Sequence, residues 1–226
     1  MRKLWFLLLA LAAPAQAGLP ARLEIAYELL RNGSLVAEVT GRFEHGNGSY
    51  QLVETWKGRG MYALLGRATR TSQGSLGADG PRPREFADER SGRATARAWF
   101  DWSAKTLTMR YKGAARTEPI PPNAQDRLSF ILALSASPAG RKSIDLHVVD
   151  GRGVSRHLYE FNGRERLKTA AGEFDTLKVV RARDHERAEF WLAAELGHLP
   201  VRILVVEKNG TRYDQLATRV AVKPGI

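Results

Sequence analysis

Hydrophobic residues recur at every second position along most of this chain. Leu23, Ile25, Tyr27 and Leu29 alternate with Arg22, Glu24 and Glu28, and Leu35, Ala37, Val39 and Phe43 alternate with Glu38, Thr40, Arg42 and Glu44. The same period runs through Leu107, Met109 and Tyr111 and through Ile144, Leu146 and Val148. Successive side chains of a strand point to opposite faces, so this pattern predicts half-buried β-strands. Asx-Gly dipeptides separate the runs: Asn32-Gly33, Asn47-Gly48, Asp79-Gly80, Asp150-Gly151, Asn162-Gly163 and Asn209-Gly210. Each can supply the positive φ values of a tight hairpin, so hairpin is expected to follow hairpin. After Pro200, Val201, Ile203 and Val205 fall on one face and Leu204 and Val206 on the other, which predicts a central strand. A long antiparallel sheet twists and curls. The expected fold is therefore mainly all-β, a single antiparallel meander curled into a half-barrel or barrel-like sheet.

Two stretches break the period. Gly60 to Leu65 predicts one short helical turn. The stretch 124–135 predicts a helix: Pro121-Pro122 stops the preceding strand, Asn123 can cap, and Asp126 falls beside the free amides of the first turn. Leu128, Phe130, Ile131, Leu132 and Leu134 cover nearly its whole circumference, and a helix apolar all round is a buried one. It is expected to plug the curled sheet.

No repeat or long linker divides residues 18–226, which read as one β-rich domain. Residues 1–17 read differently. Arg2 and Lys3 precede the apolar run Leu4 to Ala13, and Ala15-Gln16-Ala17 gives a small-x-small site. That order predicts a secretory signal peptide cleaved after Ala17, and the run is short of the about 20 residues that span a bilayer. The chain has no cysteine, which excludes thiol chemistry, thiolate zinc sites and a lipid-anchored cysteine at the cleavage point. A soluble periplasmic protein is expected, without a transmembrane segment. The net charge is +11, of which two positives belong to the leader. Such a charge favours anionic surfaces, and for an exported protein these are envelope components rather than nucleic acid.

In the strand from Arg93 to Trp102, Ala94, Ala96, Ala98, Phe100 and Trp102 share one face. A row of alanines leaves volume for the buried helix or for a guest. With Trp56, beside Tyr50 and Leu52, and Trp191, between Phe190 and Leu192, these residues form a candidate binding set on the concave face. The chain has no Gly-x-Ser-x-Gly elbow, no His-Glu-x-x-His and no phosphate-binding glycine loop. His45, His147, His157, His185 and His198 make no helical pair, and His157, on a face with Tyr159 and Phe161, is the best placed for burial. The carboxylate pairs Asp88-Glu89 and Asp184 with Glu186 read as solvated turns. No catalytic residue, metal or cofactor is expected. Three classes remain: a carrier of an apolar or acylated envelope component, a lipid or lipid-like ligand; an interaction module of envelope assembly that binds a protein or anionic polymer; and a hydrolase with a scattered site. The sequence is silent on oligomeric state.

The second half carries a set of motifs: Gln125-Asp-Arg-Leu-Ser129, Thr169-Ala-Ala-Gly-Glu-Phe174, Thr176-Leu-Lys-Val-Val180, Glu189-Phe-Trp-Leu-Ala193 and Leu199-Pro-Val-Arg-Ile203. Together they resemble the bacterial family called domain of unknown function 3108, over about residues 20 to 222. That family has no assigned activity, so the resemblance implies no catalytic residue. The block from Trp191 to Pro200-Val-Arg202 is also similar to the end of LolA and LolB type lipoprotein carriers, which implies a half-barrel that shelters acyl chains.

Overall fold

A computed structural model describes residues 19–137, 140–183 and 185–223. The leader over 1–17, its cleavage after Ala17, Pro138 and Asp184 lie outside the described residues. The alternating segments form one sheet. Its first half runs β1 (Arg22–Arg31), β2 (Ser34–Gly46), β3 (Ser49–Gly58), β4 (Arg67–Gly77), β5 (Gly80–Arg90), β6 (Ala96–Asp101), β7 (Thr106–Tyr111) and β8 (Ala114–Pro119). Then come the short β9 (Ala124–Asp126), helix α1 (Ser129–Ser135), and β10 (Ser143–Val149), β11 (Val154–Thr169), β12 (Gly172–Arg183), β13 (Glu186–Ala193), β14 (Leu199–Val206) and β15 (Arg212–Lys223). A 3-10 turn over Gly60–Leu65 joins β3 to β4, as the sequence predicts.

The order across the sheet is β8-β7-β6-β5-β4-β3-β2-β1-β15-β14-β13-β12-β11-β10-β9. The chain thus starts in the middle, meanders to one edge, crosses to the other, and meanders back until β15 pairs with β1. Every pairing is antiparallel except β9 with β10. The strand after Pro200 is central, between β13 and β15. Leu23, Ile25, Tyr27, Leu29, Val39 and Phe43 are buried as the period of two requires.

Three local departures have physical causes. Leu35 is exposed and Val36 buried, because a bulge pairs Leu30 with Leu35 but Leu29 with Ala37 and reverses the side-chain alternation. Asn162-Gly163 does not turn the chain. Gly163 has φ +83°, yet β11 continues through it, and the pairing with β12 shifts between Phe161 and Arg164. Here the positive φ serves a bulge. The hairpin comes later, at Ala170-Ala171. The helix occupies the second part of its predicted stretch. Ala124, Gln125 and Asp126 pair with His147, Val148 and Val149 of β10, and this ladder holds their amides in a strand.

The two edges do not join by a strand ladder. The side of the sheet that carries β9 folds over onto β4 to β6. Gln125 Nε2 donates to Pro81 O at 2.9 Å and Ser72 Oγ donates to Asp126 Oδ2 at 2.5 Å. Arg152, in the β10–β11 loop, reaches Asp88 of β5 at 3.2 Å. A Cβ placed on Gly151 would lie 2.8 Å from Arg97 N and 2.9 Å from Ala96 C. Ala98, Phe86, Phe100, Leu107, Met109, Ala124 and Val149 form a small core at this seam. The main core lies inside the curl, where Leu132 and Leu134 of α1 are fully buried against the sheet.

Candidate functional site

The concave face is not filled. A cavity of about 500 Å3 remains between the sheet and α1. Its apolar wall comes from Leu23, Ile25 and Leu29 of β1, Phe43 of β2, Leu52 and Trp56 of β3, Phe130 and Ile131 of α1, Phe190 of β13 and Ile203 and Val205 of β14. Part of this space exists because β2 lacks a side chain in its inward row. Gly41 follows Val39 and precedes Phe43 on the same face, and a Cβ there would meet only Tyr27 Cε2 at 3.7 Å and Ile25 O at 3.9 Å. Tyr27 closes one side by donating its hydroxyl to Pro200 O at 2.7 Å, and burial pushes its phenol well above the ordinary tyrosine range.

Polar groups gather in another part of the wall. Glu54 accepts from Trp56 Nε1 at 2.7 Å and from Arg70 Nη1 at 3.0 Å, and the Arg70 guanidinium lies over the Trp56 ring at 5.2 Å. Behind Arg70 sits Asp88, fully buried rather than in the solvated turn expected. Arg90 grips it with two bonds of 3.0 and 2.8 Å, and Arg152 adds a third. Burial alone would raise its carboxyl, but Arg90, Arg70 and Arg152 together hold it below the usual carboxylate range. Glu54, Arg70 and Asp88 therefore largely satisfy one another.

Arg127, Arg181, His157 and Tyr159 make a second polar group on this wall. Tyr159 is buried in an aromatic trio with Phe130 at 5.6 Å and Phe190 at 6.0 Å. Its hydroxyl lies 3.2 Å from His157 Nδ1. Burial raises the Tyr159 phenol, and the nearby Arg181 and Arg127 pull it back down. Arg127 lines the cavity and is exposed. Desolvation lowers its guanidinium below the ordinary arginine range, and repulsion from Arg70 lowers it further, against a weaker pull from Asp150, Asp88 and Glu54. No hydrogen bond or ion pair to a described residue reaches the guanidinium of Arg127 or Arg181.

The Gln125 to Ser129 motif explains how Arg127 is held. Asp126 Oδ1 accepts from the amides of Leu128 and Ser129, both at 2.8 Å, and Ser129 Oγ accepts from the Asp126 amide at 2.8 Å. This reciprocal pair closes the turn that leads into α1 in the manner of a capping box, three residues later than the cap that Asn123 predicts. The other Asp126 oxygen is tied to Ser72, whose hydroxyl lies 3.1 Å from Tyr50 OH. Burial pushes the Asp126 carboxyl up to about 6 against these hydrogen bonds. Gln125 and Asp126 are pinned to the sheet, which fixes the place of Arg127 on the cavity wall.

Of the residues singled out from sequence, Trp56 lines the cavity, and so does His157. Ala96, Ala98, Phe100 and Trp102 lie at the seam, where the small side chains admit Ala124, Val149 and Gly151. Ala94 is exposed ahead of β6. Trp191 is buried on the face of β13 opposite Ala188 and Phe190, with Lys178 and Arg202 each 4.6 Å from its ring and its Nε1 donating to Glu165. Arg202 is held by Asp214 at 2.7 and 2.9 Å. Trp191 and Arg202, from the block that is similar to lipoprotein carriers, thus stack on each other away from the cavity, while Pro200 of the same block lines it. Sequence reasoning passed over Arg127, Arg181 and Gly41. The available signal for Arg127 was that it is the single cation in the stretch 124–135, directly ahead of its apolar run. Among the described residues, no three His, Asp or Glu side chains converge as a metal site, and no helix is long and apolar enough to cross a membrane.

The family model described as protein of unknown function (DUF3108) matches residues 22–216, and the chain belongs to that family. No curated protein matches the chain. Among solved structures, a candidate exported protein with YmcC-like fold from Bacteroides fragilis is similar over 91% of this chain and 97% of its own, with 12% identity and a TM-score of 0.41. A candidate lipoprotein from Parabacteroides distasonis covers the same shares with 11% identity and a TM-score of 0.38.

Proposed function

We propose that this DUF3108 protein is an exported carrier that binds an apolar or acylated cell-envelope component on the concave face of its sheet, without bond chemistry. The observation that carries the reading is the cavity of about 500 Å3. Interiors are normally close-packed, and ligand sites fall in the range of about 300–1,000 Å3 with mostly apolar walls and a few placed polar groups. A domain that leaves this volume open, and omits a side chain at Gly41 to do so, is built around a guest. The leader over residues 1–17 supports a periplasmic setting, where acylated molecules must cross an aqueous space.

Native mass spectrometry of the protein purified from the periplasm of its own host tests the reading. The expected result is a bound species of lipid-like mass that organic solvent removes. A clean apo mass, together with no uptake of an added single-chain amphiphile, would overturn it.

A further inference from the structure

We infer that the guest is an anionic single-chain amphiphile whose carboxylate or phosphate head is taken by Arg127, with Arg181 and the Tyr159 hydroxyl beside it. This deepens the carrier reading and rests on it. The charges around the cavity support the assignment. Arg70 is committed to Glu54 at 3.0 Å and stands 3.7 Å from Asp88. Asp88 is in turn committed to Arg90 and Arg152. Asp150 is engaged by Arg152 at 3.6 Å and by the amides of Arg152 and Gly153. Glu54 and Asp150 on this wall, and Asp88 behind it, therefore have cations of their own, while two guanidiniums, Arg127 and Arg181, have no carboxylate partner among the described residues, although Glu186 also lines the cavity.

A guanidinium set on a mostly apolar wall, with other cations nearby and no carboxylate partner among the described residues, leaves its planar fork open to an anion. The fold holds Arg127 there by pinning its neighbours Gln125 and Asp126. Arg127 sits next to Leu128 and Phe130, at the junction between the polar part of the wall and the apolar part. An acyl chain lying over Phe130, Phe190 and Leu52 would thus present its head to a guanidinium. Guanidinium is well matched to carboxylate and phosphate, because its planar fork donates two parallel bonds. A hydroxyl such as that of Tyr159, which burial keeps protonated, can donate to the same anion.

The test uses the mature chain, with dodecyl phosphate, dodecanol and inorganic phosphate as probes, and titration calorimetry as the readout. Dodecyl phosphate is expected to bind at least about tenfold more tightly than dodecanol, as one charge-assisted hydrogen-bonded contact would give. Arg127→Met should remove that preference and leave dodecanol binding unchanged, and Arg181→Met should reduce it in part. Thermal melts accompany each variant. Since Arg127 makes no ion pair with a described residue, the Arg127→Met variant should melt no lower than the parent. Equal affinity for dodecyl phosphate and dodecanol, or equal loss of both in Arg127→Met, would overturn the head-group assignment and leave the carrier reading intact. Failure of both chain-bearing probes would overturn the carrier reading itself. Inorganic phosphate bound as tightly as dodecyl phosphate would mark a plain anion site and overturn the role of the chain.

Discussion

Gly41 offers the sharpest perturbation, because stability and binding should move in opposite directions. Gly41→Val restores the missing inward side chain between Val39 and Phe43. Its backbone φ lies outside the left-handed region, and a Cβ there finds only ordinary van der Waals neighbours at 3.7 and 3.9 Å. The new methyl groups then project into the cavity. Burying a Val side chain is worth about 1.5–3 kcal/mol, and replacing a strand glycine relieves about 0.5–1 kcal/mol of backbone entropy. Because the cavity surrounds the side chain incompletely, a net gain of about 2 kcal/mol is expected. For a domain of this size that corresponds to a rise in Tm of about 4–8 °C, measurable by circular dichroism, with the urea m-value unchanged. The same methyl groups exclude two or three methylenes of a bound chain, at about 0.8 kcal/mol each, so dodecyl phosphate should bind about 30-fold more weakly. A lower Tm would refute the claim that the inward row is open at Gly41. A higher Tm with unchanged dodecyl phosphate binding would refute the cavity as the binding site.

Other expectations are simpler to state. Ala98→Leu should destabilise by about 1–3 kcal/mol through overpacking at the seam while dodecyl phosphate binding by the folded fraction stays unchanged; tolerance of leucine in denaturant titrations would mean that the seam has spare volume. Trp191→Phe loses the hydrogen bond to Glu165 and part of the stack between Lys178 and Arg202, and should cost about 1–2 kcal/mol; a matching loss of dodecanol affinity would contradict its placement away from the cavity. Asp126 sets a pH dependence whose sign follows from its raised carboxyl. Between about pH 4, where the unfolded carboxyl ionises, and about pH 6, where the folded one does, the folded state keeps a proton that the unfolded state has released. The contribution of this group to stability is therefore highest below that window, falls as pH rises through it, and is level above, by up to about 3 kcal/mol. Urea melts from pH 4 to 7 should show this slope in the difference between the parent and Asp126→Asn, and a flat difference would refute it.

Much of the site escaped sequence reasoning for one recurring reason. The alternation in β1 and β2 says which residues face inward, but not whether the inward space is full. The alanine row at Ala96 and Ala98 announced spare volume correctly as a local fact. Whether a guest or another strand takes that volume depends on where the other side of the sheet lands, and β9 with the Asp150 to Gly153 loop lands there. Asp88 read as solvated because its partners Arg70 and Arg152 lie far along the chain. Asn162-Gly163 read as a turn because positive φ suits a hairpin and a bulge equally, and only the pairing with β12 chooses between them.

By itself the sequence determined the class of fold, since period-two alternation is a backbone property that each strand expresses locally. It also determined the hairpins at Asn32-Gly33, Asn47-Gly48 and Asn209-Gly210, the 3-10 turn after Gly58, and the burial of Leu132 and Leu134 on an apolar helix. The tertiary structure alone decided how far the sheet curls, where its two sides meet, and hence that the volume beneath it stays open. It also decided that Arg127 and Arg181 come together near Tyr159 with no ion pair to a described residue. Curvature is the accumulated twist of fifteen strands, and ion pairing depends on distances across that curve, so neither is written in any single stretch of residues.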